Sequence, residues 1–464
     1  MTASELVQSI QARKLSCKEV MEAHVAQIER VNPKVNAIVT FVPEQALQQA
    51  GQADEALARG EKTGPLHGLP VAHKDLTDTK GLRTTYGSAI FKDHVPAENA
   101  LCITRIQQAG GITVGKTNTA EFGAGSHTFN QVFGTTLNPW DTTKTSGGSS
   151  GGAAAALACG MVPLADGSDL GGSLRNPANF CNLVGFRPSP GRVPGWPSIA
   201  GWFTLSVQGP MARTVQDTAL LLSVMAGYDR RSPIAIDQPG GMFAQPLDRD
   251  FRGVRIGWLQ DLGGLPFDHR VKTVVDGQRK LFESLGCVVE DGEPDFSGAD
   301  EAFRTWRAWY YQLAFGKLLK PYRHLIKATV IEEIEDGARL TGERIAQAEA
   351  KRTALYHRVR AFMETHEFMV LPVNQVPPFD TDREYVSEIE GVKLARYTDW
   401  MRSAYYISSI GLPAISVPAG FTPEGLPVGI QIVGRHHDDF GVLQLAYAFE
   451  KTAQAGNQKP PVAD

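Results

Sequence analysis

Short apolar runs of strand length alternate with longer stretches of helical periodicity along this chain, and that alternation limits its fold more than any other feature. Val71–Asp75, Ile112–Thr117, Met161–Ala165 and Val254–Leu259 read as strands, as do Cys287–Glu290, Phe368–Val373, Ala414–Val417 and Pro427–Val433. Brief apolar or β-branched runs bounded by glycine, proline or polar residues are the pattern of strands buried in a sheet. Residues 4–30 carry Leu6, Ile10, Val20, Val25 and Ile28 at helical spacing, with Ser4 and Glu5 as the start. Residues 44–59, 99–109, 153–158, 270–285 and 440–451 read as further helices. Interleaved strands and helices bury their apolar faces by stacking in layers, so an α/β fold is expected. No repeat or low-complexity tract marks a linker, and 374–392, with Pro377-Pro378 and several acids, reads as one long loop.

Size and charge narrow the function. The chain has 464 residues, and large α/β enzymes often exceed the guide of ~150 residues per domain as single units. One domain over residues 1–464 is therefore expected. The net charge of −4, from 46 Lys+Arg against 50 Asp+Glu, offers no basic stripe for nucleic acid. Cys17, Cys102, Cys159, Cys181 and Cys287 are widely spaced and odd in number, with no C-x-x-C pair. That spacing points to reduced thiols rather than a disulfide framework or a zinc site. The first residues lack a basic start and an apolar signal core, and no run reaches the ~18 apolar residues of a membrane span. A cytoplasmic protein with no membrane partner is expected.

Three motifs compete for the chemistry. Gly110-x4-Gly115-Lys116-Thr117 satisfies the phosphate-loop pattern, in which glycine amides cradle phosphates and the lysine reaches the β and γ oxygens. A phosphate loop follows a strand and opens a helix. Here a helix precedes Gly110 and the strand lies inside the motif, so a helix cap leading into a buried strand is the better reading. Gly147-x-Ser149-x-Gly151 satisfies the nucleophile-elbow pattern of a strand–turn–helix. The helix follows, but Asn138–Lys144 supplies no apolar strand before it. His324, His357, His366, His436 and His437 all lack a distinctive setting for a histidine base. The third set is Lys74 with two glycine loops, Ser146–Gly152 and Gly167–Arg175, separated by one helix and one strand. Such loops let the backbone approach a ligand closely and aim its N–H groups inward.

These residues resemble the amidase signature family, the hydrolases that include bacterial amidases and fatty-acid amide hydrolase. The likeness runs from about Ser4 to about Glu450. It is densest from Gly68 to Arg213, through Gly-Leu-Pro-Val-Ala-His-Lys74-Asp, Gly115-Lys116-Thr117-Asn118, both glycine loops, and Val207-Gln208-Gly209-Pro210-Met211-Ala212-Arg213. The resemblance implies an α/β/α sandwich around a large mixed, twisted β-sheet, with a catalytic core over about 64–215. It places the family's strand lysine on Lys74, its relay serine on Ser149 and its nucleophile on Ser173. It places the oxyanion-hole amides on Leu170, Gly171, Gly172 and Ser173, and the substrate-lining residues on Gly123, Ala124, Gly125 and Ser149. Leu170 stands where many members have threonine, which leaves an amide-based role intact. Gly123 stands where some members have bulkier residues, which bears on substrate size.

The chemistry suits those residue types. An amide carbonyl is a poor electrophile, so a serine needs a neighbouring base to attack it. A lysine is a base only when neutral, and burial disfavours the ammonium form. Lys74 follows the apolar approach Pro70-Val71-Ala72. The expected reaction is hydrolysis of a C–N amide-type bond, with a carbamate or ester as alternative substrate. A third reading is that of a glutaminyl-tRNA-type amidotransferase subunit. No metal or organic cofactor is expected, and the state expected is a monomer or homodimer. Asp169 and Arg175 read as a buried pair stiffening the nucleophile loop, and Asp75 as structural. His436-His437-Asp438-Asp439 reads as a helix cap with first-turn acids rather than a metal cluster. Trp306, Trp309, Tyr310 and Tyr311 read as core packing, with pocket lining second.

Overall fold

The computed structural model describes residues 1–463. Along the first half run α1 (Ala3–Gln11), α2 (Cys17–Val35), β1 (Ile38–Phe41), α3 (Pro43–Ala58), β2 (Pro70–Lys74), α4 (Leu101–Gln108) and β3 (Ile112–Thr117). A two-stranded ribbon, β4 (Phe129–Asn130) and β5 (Gly134–Thr135), precedes α5 (Gly151–Ala158), β6 (Leu164–Asp169) and α6 (Arg175–Phe180). Then come β7 (Val184–Arg187), β8 (Val207–Ala212) and α7 (Val215–Met225). The second half begins with β9 (Arg255–Trp258), α8 (His269–Asp276), α9 (Arg279–Ser284) and β10 (Val288–Asp291). Three helices follow, α10 (Ala299–Tyr322), α11 (Ala328–Ala338) and α12 (Gly342–Thr365), and then β11 (Phe368–Pro372). A ribbon of β12 (Glu388–Ile389) and β13 (Val392–Lys393) leads to α13 (Arg402–Ile410), β14 (Ala414–Phe421), β15 (Pro427–Gly434) and α14 (Asp439–Ala453).

Eleven strands form one sheet in the order β1-β3-β2-β6-β8-β7-β14-β15-β11-β9-β10. It is mixed: β2 runs parallel to β3 and β6, whereas β6–β8, β8–β7, β7–β14 and β14–β15 are antiparallel. Successive side chains on a strand point to opposite faces, and the two apolar cores follow that rule. On β11, Phe368 and Val370 join one core while Met369 and Leu371 join the other. The first core holds α5, α7 and α14, and the second holds residues of α10, α12 and α13. The expected α/β layering is therefore present, with helices on both faces of a large mixed sheet. No described helix is long and apolar enough to cross a membrane.

Several expected boundaries move for local reasons. The helix expected over 4–30 is two, because capping boxes at Thr2–Glu5 and Ser16–Glu19 each start a new helix. The start is thus Thr2, not Ser4. The helix expected over 270–285 also divides, between Asp276 and Arg279. The strand expected at Met161–Ala165 begins at Leu164 and continues to Asp169, so the second glycine loop opens as strand. Within 374–392, the regular structure is the ribbon in which Glu388–Ile389 pairs with Val392–Lys393.

Candidate active site

Lys74 is the last residue of β2, and both neighbours of that strand bring polar groups to it. The pleat sends His73 and Lys74 to opposite faces. His73 meets Asp166 through Nδ1 at 2.6 Å and Thr113 through Nε2 at 3.0 Å. Lys74 is wholly buried, and its Nζ donates to Ser149 Oγ at 2.8 Å, Ser150 Oγ at 2.8 Å and Ser168 Oγ at 3.0 Å. Ser149 and Ser150 end the first glycine loop just before α5, with a cis Gly148–Ser149 peptide bond, and Ser168 lies on β6. Burial lowers the Lys74 pKa to about 7, against the opposing charges of Asp169 and Asp166. An amine with three hydroxyl neighbours and no carboxylate partner can exist neutral, donating two hydrogen bonds and accepting one.

The second glycine loop is wound around one carboxylate. Asp169 Oδ1 accepts from Gly172 N at 2.9 Å, Arg175 Nη2 at 3.0 Å and Arg187 Nη1 at 3.0 Å. Its Oδ2 accepts from Arg175 Nε at 3.0 Å and Leu174 N at 3.2 Å. Burial opposes ionisation, but the two guanidiniums hold this carboxyl well below the usual range. The expected Asp169–Arg175 pair is thus present and enlarged by Arg187. The Gly172 amide, expected among the oxyanion donors, donates to Asp169 Oδ1 in this structure. The amides of Leu170, Gly171 and Ser173 have no acceptor among the described residues. Gly172 is glycine for a different reason. Its φ is +114°, and a Cβ there would stand 2.5 Å from Asn176 Nδ2 and 2.7 Å from Ala404 Cβ. Ser173 follows at 8% exposure, the more open of the two serines against 1% for Ser149.

The segment Glu121–Ser126 flanks Ser149. Phe122 is left-handed, with φ 49°, and Gly123 comes so close that a Cβ on it would lie 3.5 Å from Ser149 Oγ and 3.1 Å from Leu76 Cδ1. Phe122 stacks on Phe315 at 4.3 Å between ring centroids, and Ala124 shares an apolar cluster with Tyr311, Ile326 and Val330. Among the aromatic residues noted on α10, Tyr311 is buried and its hydroxyl donates to Phe122 O at 3.2 Å. Tyr310 packs against the same cluster, while Trp306 and Trp309 meet edge to face at 5.5 Å.

A family model described as Amidase matches residues 19–443. The chain is 36% identical over 465 residues to an acylamidase of Rhodococcus erythropolis, covering 99% of this chain and 97% of the relative. The chain belongs to the amidase signature family. It is also 35% identical over 492 residues to a glutamyl-tRNA(Gln) amidotransferase subunit from Synechococcus sp. (strain CC9605), covering 100% of this chain and 98% of that protein. The crystal structure of a bacterial aryl acylamidase of the amidase signature family superposes with a TM-score of 0.92 at 28% identity, over 98% of each chain.

For this amidase-family chain, the remaining motifs fall to structural roles. Lys116 of the phosphate-loop pattern is buried and donates to Thr77 O and to Thr79 Oγ1 at 2.8 Å. Asp75 is buried and accepts from Thr85 Oγ1 at 2.5 Å and Thr85 N. Asp438 caps α14 by accepting from Gly441 N at 3.0 Å, and Asp439 pairs with Arg192 at 3.0 Å. Ser150 and Ser168 were not expected as partners of Lys74. The signal was present in the Ser149-Ser150 doublet and in Gly167-Ser168, but it takes the register of β2 on β6 to bring Ser168 to the amine and the turn into α5 to bring Ser150.

Proposed function

We propose that the protein hydrolyses small acyl amides through an acyl-enzyme on Ser173, with Ser149 as relay and Lys74 as base. The observation that carries this reading is the buried, carboxylate-free Lys74 amine, 2.8 Å from Ser149 Oγ. Neutral Lys74 takes a proton from Ser149 as Ser149 takes one from Ser173, and Ser173 Oγ bonds to the amide carbon. The oxyanion is received by the amides of Leu170, Gly171 and Ser173, contacts each worth about 3–4 kcal/mol when such a donor is removed. Collapse breaks the C–N bond, the amine leaves with the proton returned through Ser149, and water releases the acyl group by the same relay. Gly123, Ala124 and Gly125 line the acyl side. The apolar cluster of Phe122, Phe315 and Tyr310 that backs this segment is the ground for favouring aryl or apolar acyl groups over amino-acid amides.

Wild-type protein should react with a fluorophosphonate at Ser173, and Ser173→Ala should stay folded but be unlabelled and inactive on every amide. Labelling mapped to Ser149 instead would refute the assignment. Aryl amides, fatty amides, amino-acid amides and carbamates all share a tetrahedral intermediate, so the mechanism does not distinguish them, and a hydrolysis screen across them separates the classes. The amidotransferase relatives support a second reading, in which the chain works within a larger assembly. Recovery of bound partner proteins on purification would favour it, and the net charge of −4 weighs against a tRNA-facing role.

A further inference from the structure

The lysine that precedes α11 reaches back across the fold into the segment beside Ser149. Lys327 Nζ donates to Ala124 O at 2.9 Å, and its backbone N–H donates to Glu121 Oε2 at 2.8 Å. The same ammonium lies 3.5 Å from Glu384 Oε1 and 4.7 Å from the centroid of Phe129. A Cβ on Gly125 would stand 3.8 Å from it. Glu384 is itself held, accepting from Thr329 Oγ1 at 3.2 Å. One residue therefore ties three separate pieces of chain to the start of α11: Glu121 and Ala124, the β4 ribbon, and the 374–392 loop.

The position of these anchors matters. Ala124 O and Glu121 bracket Phe122 and Gly123, the left-handed residue and the glycine that faces Ser149 Oγ. Two backbone carbonyls in this stretch are fixed from outside it, Phe122 O by Tyr311 and Ala124 O by Lys327. Left-handed backbone at a non-glycine residue persists only where the surroundings hold it. A cation on a carbonyl is a charge-assisted hydrogen bond, stronger than a neutral one.

We propose that Lys327 is a positioning residue for substrate: it holds the Glu121–Ser126 segment so that Gly123 keeps its clearance beside Ser149, and so governs acyl binding rather than bond cleavage. The kinetic part rests on the amide-hydrolase reading; the structural part does not. The test compares wild type, Lys327→Met and Lys327→Arg by hydrogen exchange of peptides covering 121–126, by KM and kcat on a matched small and bulky amide, and by the pH profile. In Lys327→Met, exchange over 121–126 rises while peptides of α5 and β6 keep their protection. KM for the bulky amide rises about tenfold with kcat held within about threefold, the pH midpoint stays put, and Lys327→Arg recovers most of the loss. If Lys327→Met fails to fold, Glu384→Gln shows the same bias at smaller size. Unchanged exchange and KM would overturn the proposal, as would a loss confined to kcat or a moved pH midpoint. A wild type with no amidase activity and no fluorophosphonate labelling would instead sink the hydrolase reading and leave the exchange arm to decide whether Lys327 holds the Glu121–Ser126 segment.

Discussion

Lys74 concentrates the chemistry in one ionisable group. Burial lowers its pKa to about 7, and the proposed mechanism uses the neutral amine. The neutral fraction grows as pH rises through that value, so kcat/KM for an amide climbs through a midpoint near 7 and levels off above it. A flat profile from pH 6 to 9 would separate activity from this lysine. Lys74→Ala should cost on the order of 10²–10⁴ on an amide at pH 7, the usual range for lost proton transfer. It should cost less on a matched activated ester, whose alkoxide leaves with less need of a proton. Ser149→Ala should show the same bias more weakly, because a water can bridge the gap. The burial of Lys74 was legible from the apolar Pro70-Val71-Ala72 approach only when joined with the glycine loops and the family resemblance. Its other contacts were not: Ser168 reaches it through strand pairing, and the Gly172 amide turns to Asp169 through a side-chain bond that no local pattern encodes.

Among the elements, glycine positions carry opposite meanings that spacing alone does not distinguish. Gly152, in the first turn of α5, packs its α-carbon into backbone. A Cβ there would meet Asn118 N at 2.3 Å and Ala37 O and Asn118 O at 2.6 Å. These atoms belong to chain leaving β3 and entering β1, so neither can swing aside like a side chain. Gly51, inside α3, has nothing within 4 Å of its added Cβ. Gly152→Ala should therefore destabilise by roughly 1–3 kcal/mol, as overpacking does. Gly51→Ala should stabilise by about 0.5–1 kcal/mol through helix propensity. Thermal and urea midpoints of the two variants check the contrast, and equal shifts of one sign would contradict it. The elements with strong local signals were readable: β2, β3, α3 and α14 lie within a few residues of expectation. The run from α10 to α12 was not. Only its aromatic stretch stood out: α10 and α12 mix apolar and polar residues around the helix without a clean apolar stripe, and the amphipathic α11 was passed over. The strands β7 and β8 were missed as strands because Gly185, Gly209 and Pro210 interrupt their apolar runs.

At the scale of the whole molecule, the sheet is built from two consecutive stretches of chain. The six strands from β1 to β3, β2, β6, β8 and β7 come from the first half, the other five from the second, and β7 joins β14 at the seam. That division resembles two domains, yet the candidate site does not respect it. Arg175, which braces Asp169, donates to Ala404 O at 2.9 Å, to Ser408 Oγ at 2.7 Å and to Gln431. A Cβ on Gly171 would meet Phe303 Cζ at 2.7 Å. Tyr311 and Lys327 secure the segment beside Ser149 from the same second half. All three proposed catalytic residues lie in the first half, so their sequence cluster suggests a self-sufficient core over 64–215, whereas the hydrogen-bonded supports come from 189 to 256 positions away. We therefore infer one folding unit. Residues 1–250, cut at the exposed stretch Asp248–Asp250, would leave the β7 edge unpaired and the Arg175 guanidinium buried without part of its shell. Unpaired edges invite association, and an incompletely satisfied buried charge costs several kcal/mol. The fragment should aggregate or stay without fixed tertiary structure, and it should not react with a fluorophosphonate at Ser173, as read by near-ultraviolet circular dichroism and mapped labelling. A soluble fragment labelled at the full-length rate would show that the first half holds its nucleophile loop unaided.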